Sequence, residues 1–221
     1  ITCGVFTMVT SLKGRDFLTL ADFTREELLF MIDTARVFKE RFLAGERIIP
    51  VLQGRHLAMI FEKPSTRTRI SFETAMKELG GFAMYLSWRE LQLGRGETIE
   101  DTARVLSRYV DGIMARVYEH EKLVKLAEYS SVPVINGLSN LLHPAQGLTD
   151  IYTIIEKKGS DLSKLKIVFV GDGGDNVLHS LMLGIGILGG KIVISSPKGY
   201  DPHPQVVKWF EEKASPYGGE Y

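Results

Sequence analysis

His56 to Ser87 reads HLAMIFEKPSTRTRISFETAMKELGGFAMYLS, and this stretch decides the fold. HLAMIF is a short apolar run of the kind that makes a buried strand, and AMYLS is a second one. Between them Phe72, Ala75, Met76 and Leu79 fall at helical spacing, so STRTRISFETAMKEL is a helix with one apolar face. Ser65 stands where an N-cap belongs, which leaves the next amides as unpaired donors at the positive end of a helix dipole. The hydroxyls of Ser65, Thr66 and Thr68 add donors, and an arginine adds a bidentate fork for phosphate oxygens. At about 100° per residue, Arg67 and Arg69 project to nearly opposite sides. Arg67, at the strand's carboxyl end, therefore faces the ligand, and Arg69 is left to a structural ion pair. The plain alternative is a capped, solvated helix start. The place of the cluster after a buried strand, where α/β sheets bind ligands, favours an anion pocket.

The pattern extends outward on both sides. Upstream, TREELLFMIDTARVFKERF has Thr24 and Glu27 at capping-box spacing and a stripe of Leu28, Met31, Ile32, Ala35 and Phe38. Downstream, ETIEDTARVLSRY and HEKLVKLAEYS read as helices and GIMARVY and VPVIN as strands, followed by a helix from Pro144 to Lys157. The polar EKKGSDLSKL is a junction, after which LKIVFVGDG, NVLHSLMLGIGIL, KIVISSP and PQVVKWFEEKA restart the alternation. The expected fold is α/β, with two parallel-sheet three-layer domains. The second is incomplete, because two strands remain before Tyr221 and such a fragment has no closed core of its own. The expected divisions are 8–150, a linking helix and junction at 151–164, and 165–221. The glycines of SLMLGIGILGG suggest a buried helix packed closely on a sheet.

The chain has 221 residues, with 27 basic and 27 acidic side chains and a formal net charge of zero. A nucleic-acid binder relies on a basic excess, so that class is disfavoured. No apolar run has the length a bilayer needs. One cysteine, Cys3, excludes an intramolecular disulfide and fits a reducing compartment. ITCGVFT ahead of Met8 lacks the features of a signal peptide and reads as upstream sequence, so a cytoplasmic protein is expected.

Three further segments carry polar groups at strand ends. Arg116 closes the apolar GIMAR, either as an ion-pair partner or as a ligand contact. In HPAQ, Pro144 suits the first helical turn, which makes His143 the N-cap and Gln146 the N3 residue on the same face. VGDGGDNVLHS sets glycines between a strand and a helix, but its spacing is not that of a dinucleotide fingerprint. It supports a nicotinamide cofactor only weakly, and serves equally to expose Asn176 and backbone amides to a second substrate.

Together PSTRTR, Arg116 and HPxQ resemble the carbamoyl-phosphate-binding set of the transcarbamoylase family. The likeness runs from about Ser11 nearly to the end, and LQLGRGETIEDTARVLSRYVD, MARVY and INGLSNLLHPAQ are similar to its ornithine-specific branch. Arg95 stands where the aspartate branch has a lysine, and Gln92 where the ornithine branch has a phosphate-contacting glutamine. Ala145 replaces a cysteine, and GDGGDN is one residue longer than the usual loop. The family's later SMG and HCLP segments do not occur, so no residue is assigned to the amino acid's backbone or reacting amine. The resemblance implies an enzyme that passes the carbamoyl group of carbamoyl phosphate to L-ornithine, with no cofactor and no metal. It implies catalytic roles for Arg67, Arg116 and His143, and carbamoyl-phosphate contacts from Ser65, Thr66, Arg67, Thr68, Gln92, Arg116, His143 and Gln146. Asn176 is implied to bind ornithine. A homotrimer or multiple of trimers is implied too, with the Gln92 loop reaching a neighbour's site. The alternatives are an aspartate-specific enzyme and a chain that binds carbamoyl phosphate without turnover.

Overall fold

The computed structural model describes residues 11–221; Cys3, the segment ahead of Met8 and the expected domain start at position 8 lie outside them. Helix α1 (Arg25–Leu43) begins at Thr24, whose side chain and that of Glu27 cap each other's backbone reciprocally. Its apolar stripe is narrower than the spacing predicts: Leu28 and Ile32 are buried, whereas Ala35 is exposed.

The first sheet joins β1 (His56–Phe61), β2 (Phe82–Ser87), β3 (Gly112–Arg116) and β4 (Val134–Leu138), all parallel, in the order β2-β1-β3-β4. The connections are α2 (Thr66–Glu78), α3 (Ile99–Leu106) and α4 (His120–Tyr129). Strand alternation sorts the side chains to two faces. Ala58, Ile60, Ile113, Ala115 and Val134 pack with Ala103 of α3 and Leu123 and Leu126 of α4. Leu57, Met59, Phe61 and Met114 meet Phe72 and Met76 of α2 on the other face. The result is three layers. The chain leaves β1 toward β2 on one side and returns to β3 on the other, so the crevice for a ligand opens at the carboxyl ends of β1 and β3. Phe61 pairs with Arg116 there.

After β4 the helix α5 (Pro144–Lys158) runs unbroken past position 150. Then follow β5 (Lys166–Val170), α6 (Asn176–Ile187), β6 (Lys191–Ser195) and α7 (Pro204–Lys213), with β5 and β6 parallel. One face of this pair, with Ile167, Phe169, Ile192 and Ile194, joins the helices; Val168, Val170 and Val193 on the other are exposed. The core of this half is shared rather than separate. Leu178, Met182 and Leu183 of α6 lie in one cluster with Leu20, Leu28, Ile32, Leu142 and Ile151 from the first half. The close packing expected on a sheet is instead made against helices: a Cβ at Gly184 would collide with Ile151 of α5, and one at Gly186 with Phe210 of α7.

Candidate active site

At the crevice, Ser65 caps α2 with its hydroxyl, but loosely: the Thr68 N–H donates to Ser65 Oγ at 3.4 Å. Ser65 Oγ also donates to Thr68 Oγ1 at 3.0 Å, which links the two hydroxyls of the helix start. A neutral, weakly engaged cap leaves this helix end available to an outside anion.

Arg116, at the end of β3, reaches across to the same hydroxyl: its Nη1 donates to Thr68 Oγ1 at 3.3 Å and, marginally, to the Gly137 carbonyl at 3.5 Å. Its Nε is buried and has no hydrogen-bond partner. Burial first, and the charge of nearby Arg67 second, push the guanidinium below its usual range. Among the described residues no carboxylate pairs with Arg67 or Arg116. Two cations held together without an acid between them make a site for a divalent anion.

Arg69 does what its angle predicts. Its Nε donates to Glu73 Oε1 at 2.9 Å and its guanidinium lies 4.0 Å from the Tyr85 ring centroid. Arg67, on the other side, is exposed.

His143 occupies the N-cap of α5 with Pro144 following it. Its Nδ1 is the second buried polar atom without a partner. Burial, then the charge of Arg116, lower its pKa to about 4 against a weak opposing pull from Asp175, so the ring is neutral at pH 7. The loop before it is built by Asn136, fully buried, whose Nδ2 donates to the Leu18 carbonyl and whose Oδ1 accepts from the Leu138 N–H. Leu138 carries a φ of 147°, a strained value for a non-glycine residue, and its carbonyl is held by the Val117 N–H at 2.9 Å. The strain stands beside the candidate site, where such strain tends to be kept.

The remaining predicted residues are not drawn into this group. Gln146 is exposed, and its Nε2 donates to Asp150 Oδ1 at 2.9 Å on its own helix. Gln92 is exposed at the start of a 3-10 turn, Gln92–Arg95, and Thr66 is exposed beside Arg67. Asn176 opens α6, and its Nδ2 donates to the Ser139 carbonyl at 2.7 Å. Sequence reading missed Asn136, Ser139, His179 and Ser180. The last two follow Asn176 at i+3 and i+4, a spacing that was there to be used.

The glycine loop is closed to a dinucleotide. A Cβ at Gly173 would collide with the Tyr200 carbonyl, so its lack of a side chain serves packing within the chain. Asp175 Oδ1 accepts from the Val177 and Leu178 N–H groups at 2.8 and 3.0 Å and fills the end of α6 with the chain's own carboxylate. A pyrophosphate would meet negative charge there. Among the described residues no group of three or more His, Cys, Asp or Glu side chains could hold a metal ion. No described helix is long and apolar enough to cross a membrane.

Comparisons with known proteins agree with the geometry. Residues 15–156 match the model of the carbamoyl-P binding domain of aspartate/ornithine carbamoyltransferases, and residues 163–221 that of the Asp/Orn binding domain. The chain is 84% identical over 214 residues to the ornithine carbamoyltransferase of Staphylothermus marinus, covering 97% of this chain and 68% of that protein. It is 57% identical to that of Thermococcus kodakarensis, with 97% and 67% covered. The structure of ornithine carbamoyltransferase from Pyrococcus furiosus superimposes with a TM-score of 0.91 at 55% identity, covering 96% of this chain and 67% of that one. This chain thus spans about two thirds of the length of these relatives.

Proposed function

Because the chain belongs to the aspartate/ornithine carbamoyltransferase family, we propose that it transfers the carbamoyl group of carbamoyl phosphate to the δ-amine of L-ornithine, giving L-citrulline and phosphate. The observation that carries the reading is the pair of buried, unpartnered atoms, Arg116 Nε and His143 Nδ1, beside the open end of α2. Polar atoms left unpaired in a buried site cost free energy and call for a ligand.

In this reading the α2 amides, Ser65, Thr66, Thr68 and Arg67 hold the phosphate. Arg116, His143 and the Thr68 hydroxyl surround the carbonyl oxygen, and Gln146 joins them only by releasing Asp150, to which its amide donates in the free protein. The neutral amine attacks the carbonyl carbon and a C–N bond forms. The C–O bond to phosphate breaks, and phosphate leaves with the amine's proton. Arg116 meets the negative charge that grows on the carbonyl oxygen. His143 stays neutral, which spares the site a third positive charge beside Arg67 and Arg116. Catalysis then consists of positioning and charge stabilisation.

Gln92 acts on a neighbour's phosphate in a trimer or multiple of trimers, and Asn176 serves ornithine through its side-chain oxygen, its Nδ2 being engaged by the Ser139 carbonyl. The working divisions are 8–150 for carbamoyl phosphate, 151–164 for the junction and 165–221 as part of the ornithine side. The protein works in the cytoplasm, in arginine metabolism. The relatives' names support the acceptor; one of them, from Pyrococcus furiosus, is described as anabolic.

The test incubates the native protein with carbamoyl phosphate and either ornithine or aspartate. Citrulline and phosphate in equal amounts are expected with ornithine. Product with aspartate alone overturns the acceptor, and carbamoyl-phosphate binding without release of phosphate leaves a binding protein.

A further inference from the structure

One side of α6 holds the loop that carries His143. Asn176 Nδ2 donates to the Ser139 carbonyl at 2.7 Å, the His143 N–H donates to Ser180 Oγ at 2.8 Å, and His179 Nδ1 lies 2.8 Å from the Leu141 carbonyl. Asn176, His179 and Ser180 stand at i, i+3 and i+4, so they share a helix face. His179 reaches further than its neighbours: the His203 N–H, at the head of α7, donates to its Nε2 at 3.1 Å. A carbonyl only accepts and a backbone N–H only donates. One form of the ring meets both, the neutral imidazole with its proton on Nδ1.

We propose that His179, in this tautomer, is a positioning residue for carbamoyl transfer: it fixes the Leu141 carbonyl and thereby the place of His143, two residues on. The proposal rests on the function assigned above. His179 is 1% exposed, with His203 at the N-cap of α7 and Asp175 at the N-cap of α6 as the ionisable groups acting on it. Burial holds it below the usual histidine range; the Leu141 carbonyl pulls upward, the His203 charge pushes down again, and Asp175 and the Gly173 carbonyl pull upward more weakly, so the neutral form prevails at pH 7. Ser180 and Asn176 hold the loop's backbone at its two ends, and His179 holds its middle.

Two conservative variants of the native protein separate positioning from mere bracing. His179→Asn sets an amide N–H near the position of Nδ1, while His179→Gln sets a carbonyl near that of Nε2 and leaves the Leu141 carbonyl unmet. Each variant therefore keeps one bond and loses the other. With Gln, kcat for citrulline is expected to fall roughly tenfold to a hundredfold while KM for carbamoyl phosphate changes little. With Asn, kcat stays within about threefold of wild type, on the scale of one weakened neutral hydrogen bond. Equal kcat in the two variants overturns the positioning role, whatever their melting temperatures. Nitrogen-15 NMR of the wild-type imidazoles is the second measurement and needs no variant to fold. Protonated Nδ1 on His179 is expected, and a proton on Nε2 overturns the proposal. A wild type that makes no citrulline sinks the assigned reaction and this role with it. Normal turnover with an Nε2–H ring sinks this role alone.

Discussion

Arg67 and Arg69 are two residues apart and have opposite fates. The one that found Glu73 and Tyr85 is spent on the fold, and the one without a carboxylate is left for a ligand. Arg69→Ala is expected to cost about 0.5–1 kcal/mol of stability, the worth of an exposed pair with a ring contact. Carbamoyl-phosphate affinity, measured by calorimetry, should hardly move. Arg67→Ala should cost about 1.5–3 kcal/mol of that affinity, as one charge-assisted contact. Arg116→Gln should lose about 2–5 kcal/mol in kcat/KM, since it removes a buried charge. Near-wild-type turnover in the Arg116 variant would remove it from the site. His143 offers a second measurement at this scale: its imidazole should stay neutral in an NMR titration down to about pH 4, and bound inorganic phosphate should raise that value. A midpoint near the ordinary histidine value would contradict its burial beside Arg116. The opposed directions of the two arginines were legible from helical geometry. That Arg116 and His143 each hide an unpaired nitrogen was not, because that depends on what surrounds them in space.

Helices α2 and α6 both follow a strand of a parallel sheet, and their caps set them apart. Ser65 leaves α2 open to an anion, whereas Asp175 closes α6 with a carboxylate. Helix type and position were readable from period and capping residues, and β1, α2 and β3 fall where the pattern put them. The glycine loop read two ways in the sequence for a physical reason. Glycines that admit a pyrophosphate and glycines that admit a backbone carbonyl look alike in sequence, and Gly173 is of the second kind. Gly173→Ala is accordingly expected to cost about 1–3 kcal/mol in urea unfolding, as overpacking against a backbone that cannot step aside. An unchanged midpoint would mean that the Tyr200 turn yields freely.

At the scale of the whole molecule, three partly or fully buried histidines shift stability in the same direction. His120, His143 and His179 all titrate below their ordinary value of 6.5, each chiefly because burial disfavours the charged ring. In that window the unfolded chain binds protons that the folded one refuses, so stability falls as pH falls. It is expected to be level above about pH 6.5 and to decline toward pH 4. Asp22, raised by burial, opposes this only in the carboxylate range. A urea midpoint that does not change between about pH 7 and 5 would sink the expectation. The layered sheet with its two faces was legible because strand and helix periods are local. The joint core of α1, α5 and α6 was not, since it pairs Leu20 and Leu28 with residues some 150 positions away, such as Leu178 and Met182.

That joint core and the loop grip of α6 also bear on genetics. Lesions at Asn176, His179 or Ser180 should fall into one phenotypic class with lesions at Ser139 to His143, although the two groups map far apart. Second-site revertants of a Ser180 defect should then be sought in the loop ahead of α5, across the fold, before they are sought among its neighbours in the gene.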